Sequence, residues 1–160
     1  MPRDDELQAV VDHSSIERLQ RAYADGVTRR DWAAVRGLFL PDASVSLDLV
    51  TRPAVQLAGP DELVSFVSGA LERFSFFQFV ILNSHIDLWP RGHRSVATAR
   101  VFMCELRQDV GATERNDSYG LYCDTYRQVD GDGFGGWRFA TRTYRSMARY
   151  PAGEVFPLDA

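Results

Sequence analysis

The first part of the chain places apolar residues with the period of an α-helix. Ile16, Leu19, Tyr23 and Val27 recur at helical spacing, and the stripe continues to about residue 29. The Ser-x-x-Glu pattern of Ser14–Glu17 is typical of a capping box, whose side chains satisfy the free amides of a first helical turn. These features predict a first helix that begins near residue 14.

Two more helices and a hairpin are predicted before residue 72. Asp31 is a favourable N-cap for a short second helix, which Pro41 would stop. Residues 43–50 then alternate like a strand, and residues 52–59 can return as its hairpin partner. A third amphipathic helix follows at Pro60, since proline is favoured in a first helical turn.

The pattern changes after residue 75, where long strand-like segments follow one another with turn signals between them. The predicted strands are residues 76–88, 95–107, 117–129 and 136–148. Helices followed by an antiparallel meander indicate an α+β protein. The length suits a single domain over residues 1–160, with a core at about 14–148 and an extended C-terminal arm at 151–160.

The predicted strands are apolar on both faces. In the first of them, Phe77, Phe79 and Ile81 share one parity, while the other parity also carries apolar side chains, Phe76, Val80 and Leu82. A sheet covered by helices on one side should be polar on the other. We therefore expect another subunit to cover the second face, which predicts a homo-oligomer.

Composition narrows the possible partners. The net charge of −4 and the absence of a basic run argue against binding to nucleic acid or to an anionic membrane. No stretch reaches the roughly 20 apolar residues of a membrane span, and the charged start of the chain predicts a cytoplasmic protein. Cys104 and Cys123 lack metal-binding spacing, so we predict no metal site and no cofactor.

Several short motifs occur together in a characteristic order. They are Tyr23-Ala24-Asp25, Asp31-Trp32, "LFLPDA" at 38–43, Asn83, "SVATARV" at 95–101 and "GWRFATR" at 136–142. Over about residues 14–148 the chain resembles the SnoaL-like group of the nuclear-transport-factor-2-like superfamily, on the branch that includes scytalone dehydratase. The resemblance implies a cone-shaped barrel, in which a curved, mainly antiparallel sheet wraps around N-terminal helices and a deep apolar pocket.

The resemblance also implies candidate catalytic residues. In the dehydratase branch a helix aspartate and a strand histidine form a dyad, and the aspartate falls on Asp25. The histidine normally lies four residues before the strand asparagine, here Asn83, so its position falls on Phe79. His85 cannot replace it, because six extended residues separate the two by roughly 20 Å. The arginine that reaches the pocket of a related dehydrochlorinase falls on Arg142.

Two interpretations of Asp25 remain open. The helical period alone places it opposite the apolar stripe, toward solvent, whereas the resemblance turns it into the pocket. If it is buried, desolvation should raise its pKa and suit it to act as a general base.

Tyr23 and Asn83 are predicted to bind a substrate oxygen, although core packing and a turn are their structural alternatives. Arg142 would pair with Asp25 or with an anionic ligand, or else form an ion pair on the sheet surface. The remaining predicted pocket residues are Trp32, Phe39, Phe66, Phe79, Ile81, Val101 and Met103.

Three functions are compatible with these features of the sequence. The first is a cofactor-independent lyase or isomerase that removes a proton from a small apolar or polycyclic carbonyl compound, with Asp25 as a lone base. The second is a non-catalytic protein that binds a hydrophobic small molecule in the same pocket, which an aromatic residue at Phe79 favours. The third is a subunit that only assembles with a partner enzyme.

Among oligomers we expect a trimer first, because the resembled branch favours it, and a dimer second.

Overall fold

Three helices lie on one face of a curved, unclosed sheet in the computed structural model, which describes residues 3–159. The helices are α1 (Asp4–Arg29), α2 (Trp32–Arg36) and α3 (Gly59–Leu71). The strands are β1 (Phe39–Asp48), β2 (Val55–Ala58), β3 (Phe74–Leu88), β4 (Val96–Asp109), β5 (Asp117–Gln128), β6 (Trp137–Tyr150) and β7 (Glu154–Val155). The predicted α+β class and antiparallel meander are confirmed.

Helix α1 begins earlier than its apolar stripe predicts. It starts at Asp4, where the backbone amide of Arg3 donates to the Glu6 carboxylate at 3.1 Å. The apolar residues of this first part are exposed, so no buried stripe marks it in the sequence. Asp12 fixes this part instead, because its buried carboxylate accepts hydrogen bonds from the indole N–H groups of Trp137 (3.1 Å) and Trp89 (3.2 Å). The prediction of a start near residue 14 was therefore wrong.

The second helix is capped as predicted and is only five residues long. The Asp31 side chain accepts a hydrogen bond from the backbone N–H of Ala34 at 3.1 Å. The chain enters β1 at Phe39, so Pro41 lies within a strand and does not end the helix. Helix α3 begins at Gly59 with a proline in its first turn, as the sequence predicts.

The sheet has the order β2-β1-β6-β5-β4-β3, and β7 also pairs with β6. All neighbouring strands are antiparallel except β1 and β6, which run parallel. Residues 151–153 form a turn, after which Glu154 and Val155 add a short strand to β6. Helix α1 packs against β3 and β6, while α3 packs against β1, so the helices share the inner face of the sheet.

A β-bulge at Leu82 changes which face of the sheet the following side chains of β3 point to. Ile81 pairs with Met103, whereas Asn83 pairs with the next residue of β4, Phe102. Because successive side chains of β4 point to opposite faces, Ile81 faces inward and Asn83 faces outward. The simple alternation used on the sequence had placed both residues on the same face, and it fails at the bulge.

The outer face of β3 carries exposed apolar side chains. Phe76 is 41% exposed and the bulged Leu82 is 58% exposed, while Val80 and Phe102 are half-buried. A large apolar side chain exposed on a sheet face is expected to seek a cover. The subunit contact that we predicted from the sequence would lie on this face.

Candidate ligand pocket

A cavity of about 620 Å³ lies between the helices and the inner face of the sheet. Its volume falls within the range of small-molecule sites in proteins, about 300–1,000 Å³. Apolar side chains from α1, α3, β1 and β3 form one wall, among them Val27, Leu47, Leu63, Phe66, Val67 and Phe79. Polar side chains of β4, β5 and β6 form the opposite wall, so the cavity has an apolar and a polar side.

The pairing of β3 to β6 places a row of polar side chains beside Phe79. Glu105 lies opposite Phe79 on β4, Ser118 lies opposite Glu105 on β5, and Arg149 lies opposite Ser118 on β6. All four side chains line the cavity. Among the described residues that line it, Glu105 is the only carboxylate.

Burial and a neighbouring cation act in opposite directions on the pKa of Glu105. Its side chain is 23% exposed and lies 3.2 Å from the guanidinium of Arg107. Burial raises the pKa of the Glu105 carboxyl, and the charge of Arg107 only partly opposes this effect. A carboxyl with a raised pKa beside an apolar wall is suited to accept a proton near neutral pH.

Hydroxyl groups line the same cavity as this carboxyl. The Tyr144 hydroxyl lies 3.5 Å from Ser118 Oγ and 3.4 Å from Ser146 Oγ, and all three residues line the cavity. Such long contacts leave the phenol free to donate a better hydrogen bond to a ligand. Burial raises the pKa of Tyr144, so the phenol stays neutral and keeps its proton. Gly120 makes room for its ring, because a Cβ there would lie 2.1 Å from it.

Arg142 closes the inner end of the cavity and is 2% exposed. It binds Asp124, its cross-strand neighbour, through Nε at 2.9 Å and one terminal nitrogen at 3.1 Å. Its guanidinium carbon lies 3.8 Å from the ring centre of Tyr122 and 4.3 Å from that of Tyr23. Burial works against the charge, but Asp124 holds the pKa of Arg142 above the ordinary arginine value. The cation therefore persists inside the protein.

A chain of buried hydrogen bonds fixes the partner of Arg142. The Tyr126 hydroxyl donates to Asp124 at 2.8 Å and accepts from the Gln20 amide at 3.0 Å. Gln20 in turn accepts from the Ser84 hydroxyl at 2.7 Å. The ion pair is thus tied to both α1 and β3, which holds the guanidinium in one orientation.

Asp25 lies outside the cavity. Its side chain is 63% exposed and pairs with Arg29 one helical turn away at 3.0 Å. The prediction from resemblance is corrected, and the helical period was the better guide. Two other residues of α1 contact Phe79: the Tyr23 ring packs against its ring with centres 5.5 Å apart, and the Thr28 hydroxyl accepts a hydrogen bond from its backbone N–H at 3.0 Å. This contact between α1 and β3 contains neither an aspartate nor a histidine side chain.

The other predicted site residues divide into three groups. Tyr23, Arg142, Phe66 and Phe79 line the cavity, although Arg142 pairs with Asp124 and not with Asp25. Four predicted pocket residues pack into the core or against it without lining the cavity, namely Trp32, Phe39, Val101 and Met103. Ile81 and Asn83 lie on a separate groove between α1 and the edge strand β3. Asn83 is exposed there, so its predicted role as an oxygen-binding group in the cavity is corrected.

Sequence reasoning missed the polar side of the pocket. The signal was present in β4, where Glu105 and Arg107 follow Val101 and Met103 at the same parity. Two charged residues on an inward-facing parity indicate a lined cavity or an internal ion pair. Asp124 and Arg142 are close only through the pairing of β5 with β6, which no local pattern reveals.

Residues 3–159 contain neither a membrane-spanning helix nor a metal-binding cluster of side chains. No helix in this part of the chain combines the length and the apolar character that a membrane crossing requires. Nor does it hold a group of three or more histidine, cysteine or carboxylate side chains placed to bind a metal ion.

The architecture defines an α+β protein in which a curved sheet and N-terminal helices enclose a cavity. The sequence profile of the SnoaL-like domain matches residues 8–143. The chain belongs to this family, and the resemblance noted in the sequence is confirmed. No curated protein sequence matches the chain significantly.

Solved structures share this fold. A candidate scytalone dehydratase from Novosphingobium aromaticivorans superposes with a TM-score of 0.76 at 22% identity, over 96% of this chain and 93% of that one. A hexachlorocyclohexane dehydrochlorinase, LinA-type3 from Novosphingobium barchaimii, gives a TM-score of 0.76 at 17% identity, over 96% and 99%. The ActVI-ORFA protein of Streptomyces coelicolor gives 0.66 at 12% identity, over 84% and 96%. At these identities the likeness concerns the fold alone.

Proposed function

We propose that the protein is a cofactor-independent enzyme of the lyase or isomerase type, which removes a proton from a small, mainly apolar carbonyl compound. Glu105 is the general base, in place of the Asp25 predicted from sequence. The observation that carries this proposal is the position of Glu105, as the one carboxylate among the described cavity-lining residues, with a pKa raised by burial. Structural relatives named as a dehydratase and a dehydrochlorinase support an elimination or a related proton transfer.

Three side chains of the cavity have separate roles in such a proton abstraction. The Glu105 carboxylate takes a proton from the carbon next to the carbonyl, and the C–H electron pair becomes the C=C bond of an enolate. Tyr144 donates a hydrogen bond to the oxygen that gains negative charge, since burial keeps its phenol neutral. Arg142 adds a positive potential at the inner end of the cavity. The enolate then takes a proton at another carbon or expels a leaving group from the adjacent carbon.

Hydrogen–deuterium exchange tests this step without knowledge of the natural substrate. The probe is 2-tetralone, a bicyclic ketone with acidic C–H bonds next to its carbonyl, incubated with the protein in D₂O and followed by NMR. We expect exchange above the buffer rate, and Glu105→Gln should lower it by about 10² or more, the usual share of a positioned base. Asp25→Asn, which alters only a surface ion pair, should exchange like the native protein. Equal exchange by native protein and Glu105→Gln would contradict the proposal.

A non-catalytic binding protein is the second candidate. The contact of Thr28 with Phe79 favours it, because neither side chain can act as an acid or base at neutral pH. In that case 2-tetralone would bind, seen as line broadening in its NMR spectrum, while its C–H bonds would exchange at the buffer rate.

A further inference from the structure

The cavity lining contains more arginine than carboxylate side chains although the chain is acidic. The protein has a net charge of −4, yet the cavity is lined by five guanidinium groups and a single carboxylate, Glu105. The five are Arg52, Arg73, Arg107, Arg142 and Arg149. A neutral carbonyl compound gives no reason for such an excess of positive charge around an apolar cavity.

Carboxylates compensate four of these five charges. Arg107 pairs with Glu105 and Arg142 pairs with Asp124 inside the protein. At the other end, Arg73 pairs with Asp109 at 2.6 Å and Arg149 pairs with Glu154 at 3.4 Å. Arg52 makes no hydrogen bond or ion pair with any residue in the described part of the chain. One positive charge therefore remains uncompensated at the cavity wall.

Arg73 lines the same cavity and has free donors. Its hydrogen bond to Asp109 uses Nε only, so its two terminal nitrogens have no partner among residues 3–159. Its guanidinium carbon lies 5.1 Å from the ring centre of Phe74, and that of Arg107 lies 5.2 Å from the same ring. The charge of Asp109 already interacts with both guanidinium groups, so the free terminal nitrogens of Arg73 are the donors that a ligand can use.

Arg149 fixes the segment that carries Arg52. Its terminal nitrogens donate to the Leu49 carbonyl oxygen at 2.5 Å and to the Thr51 hydroxyl at 3.2 Å. The β1–β2 connection is thus tied to β6 directly before Arg52. An exposed arginine next to an anchored backbone loses less conformational freedom on binding than one in a free loop.

We infer that the ligand of this cavity is an apolar monocarboxylate. Its carboxylate binds Arg52 and Arg73 at the wall, and its apolar body occupies the side formed by α3 and β1. The planar forks of two guanidinium groups match a carboxylate, and a single negative charge matches the single uncompensated positive charge. This inference rests on the proposed ligand cavity and specifies its substrate class.

Binding of two matched probes tests the inference. The probes are 2-naphthoate and 2-naphthalenemethanol, which share one ring system and differ in charge, measured by calorimetric titration at low salt. We expect the carboxylate to bind at least about tenfold more tightly, the size of a charge-assisted pair of hydrogen bonds. Added salt should reduce this preference.

Substitutions of single arginines show which side chains cause the preference for the carboxylate probe. Arg52→Gln and Arg73→Gln should each remove most of the preference for the carboxylate while leaving the binding of the alcohol unchanged. Arg91→Gln is the matched control, because it removes the same charge from an exposed residue at the opposite end of β3 and β4. Its preference should equal that of the native protein.

Three results would overturn the inference. They are equal binding of the two probes, a preference that Arg91→Gln reduces as much as Arg52→Gln does, and no binding of either probe at millimolar concentration. Equal binding would leave the proposed enzyme intact, because exchange of 2-tetralone depends on Glu105 and is measured separately. Conversely, a carboxylate preference without exchange would retain this ligand class and reject the base.

Discussion

Phe79 and Glu105 lie directly opposite each other on β3 and β4, with both side chains on the cavity wall. The resemblance implies a histidine at the position of Phe79, and the neighbouring strand places a carboxyl group directly opposite this residue. Asp25 is at the surface, and Glu105 of β4 is the base that we propose instead.

Glu105→Gln should become more stable relative to the native protein as pH rises. Because folding raises the pKa of Glu105, its protonated form favours the folded state. That stabilisation is present below the glutamate pKa of the unfolded chain, and it is lost as pH rises through the folded pKa. The glutamine variant has no such loss. Melting temperatures measured from about pH 4 to about pH 8 would show it.

Glu114→Gln is the matched control for this series, because Glu114 is exposed. Its melting temperature should follow that of the native protein at each pH. A Glu105→Gln curve parallel to the native curve would show that folding does not shift the pKa of Glu105. Exchange activity should rise with pH through a pKa above the ordinary glutamate range, since only the carboxylate accepts a proton.

Phe79→Ala should lower the free energy of unfolding by about 3–5 kcal/mol, the usual cost of truncating a buried aromatic side chain. Phe79 is 6% exposed, and its ring contacts that of Tyr23 with centres 5.5 Å apart. Denaturant titration measures the loss. A loss below about 1 kcal/mol would place the side chain at the surface.

Asp124→Asn should destabilise the protein by about 3–5 kcal/mol, because it leaves the Arg142 cation buried with a neutral partner. The double variant Asp124→Asn/Arg142→Met should recover part of this loss, since it removes the stranded charge. Denaturant titration of both single variants and the double variant gives the coupling energy. Additive losses would show that the two side chains do not depend on each other.

Asp25→Asn should change neither stability nor exchange. Its side chain is mainly in water and makes one surface ion pair with Arg29, and such pairs contribute at most about 0.5 kcal/mol. A loss of exchange in this variant, with unchanged melting, would restore the base role that the resemblance implied.

The protein should form a homo-oligomer through the outer face of the sheet, with a trimer expected first and a dimer second. Phe76 and Leu82 are exposed there, and a specific interface needs about 1,000 Å² of buried surface. Phe76→Arg should dissociate the assembly, because it places a charge in an apolar contact. Sedimentation at micromolar concentration measures both proteins, and a monomeric native protein would contradict the prediction.

The fold was accessible from sequence because its signals are local. Apolar period, capping at Asp31, proline at the start of α3 and glycine-rich turns each depend on a few neighbouring residues. They were sufficient for the order of helices and strands. The start of α1 was not predicted, because the residue that fixes it, Asp12, accepts hydrogen bonds from Trp89 and Trp137. These two residues lie far from Asp12 in the sequence.

The candidate site was decided by tertiary structure. The bulge at Leu82 turned Asn83 outward, and the rotation of α1 brought Thr28, not Asp25, to Phe79. By itself the sequence determined an α+β SnoaL-like chain, and it predicted Phe79 at the position where the resemblance implies a histidine. Only strand register placed Glu105 beside that position and paired Asp124 with Arg142, because contacts across a sheet join residues that no local period connects.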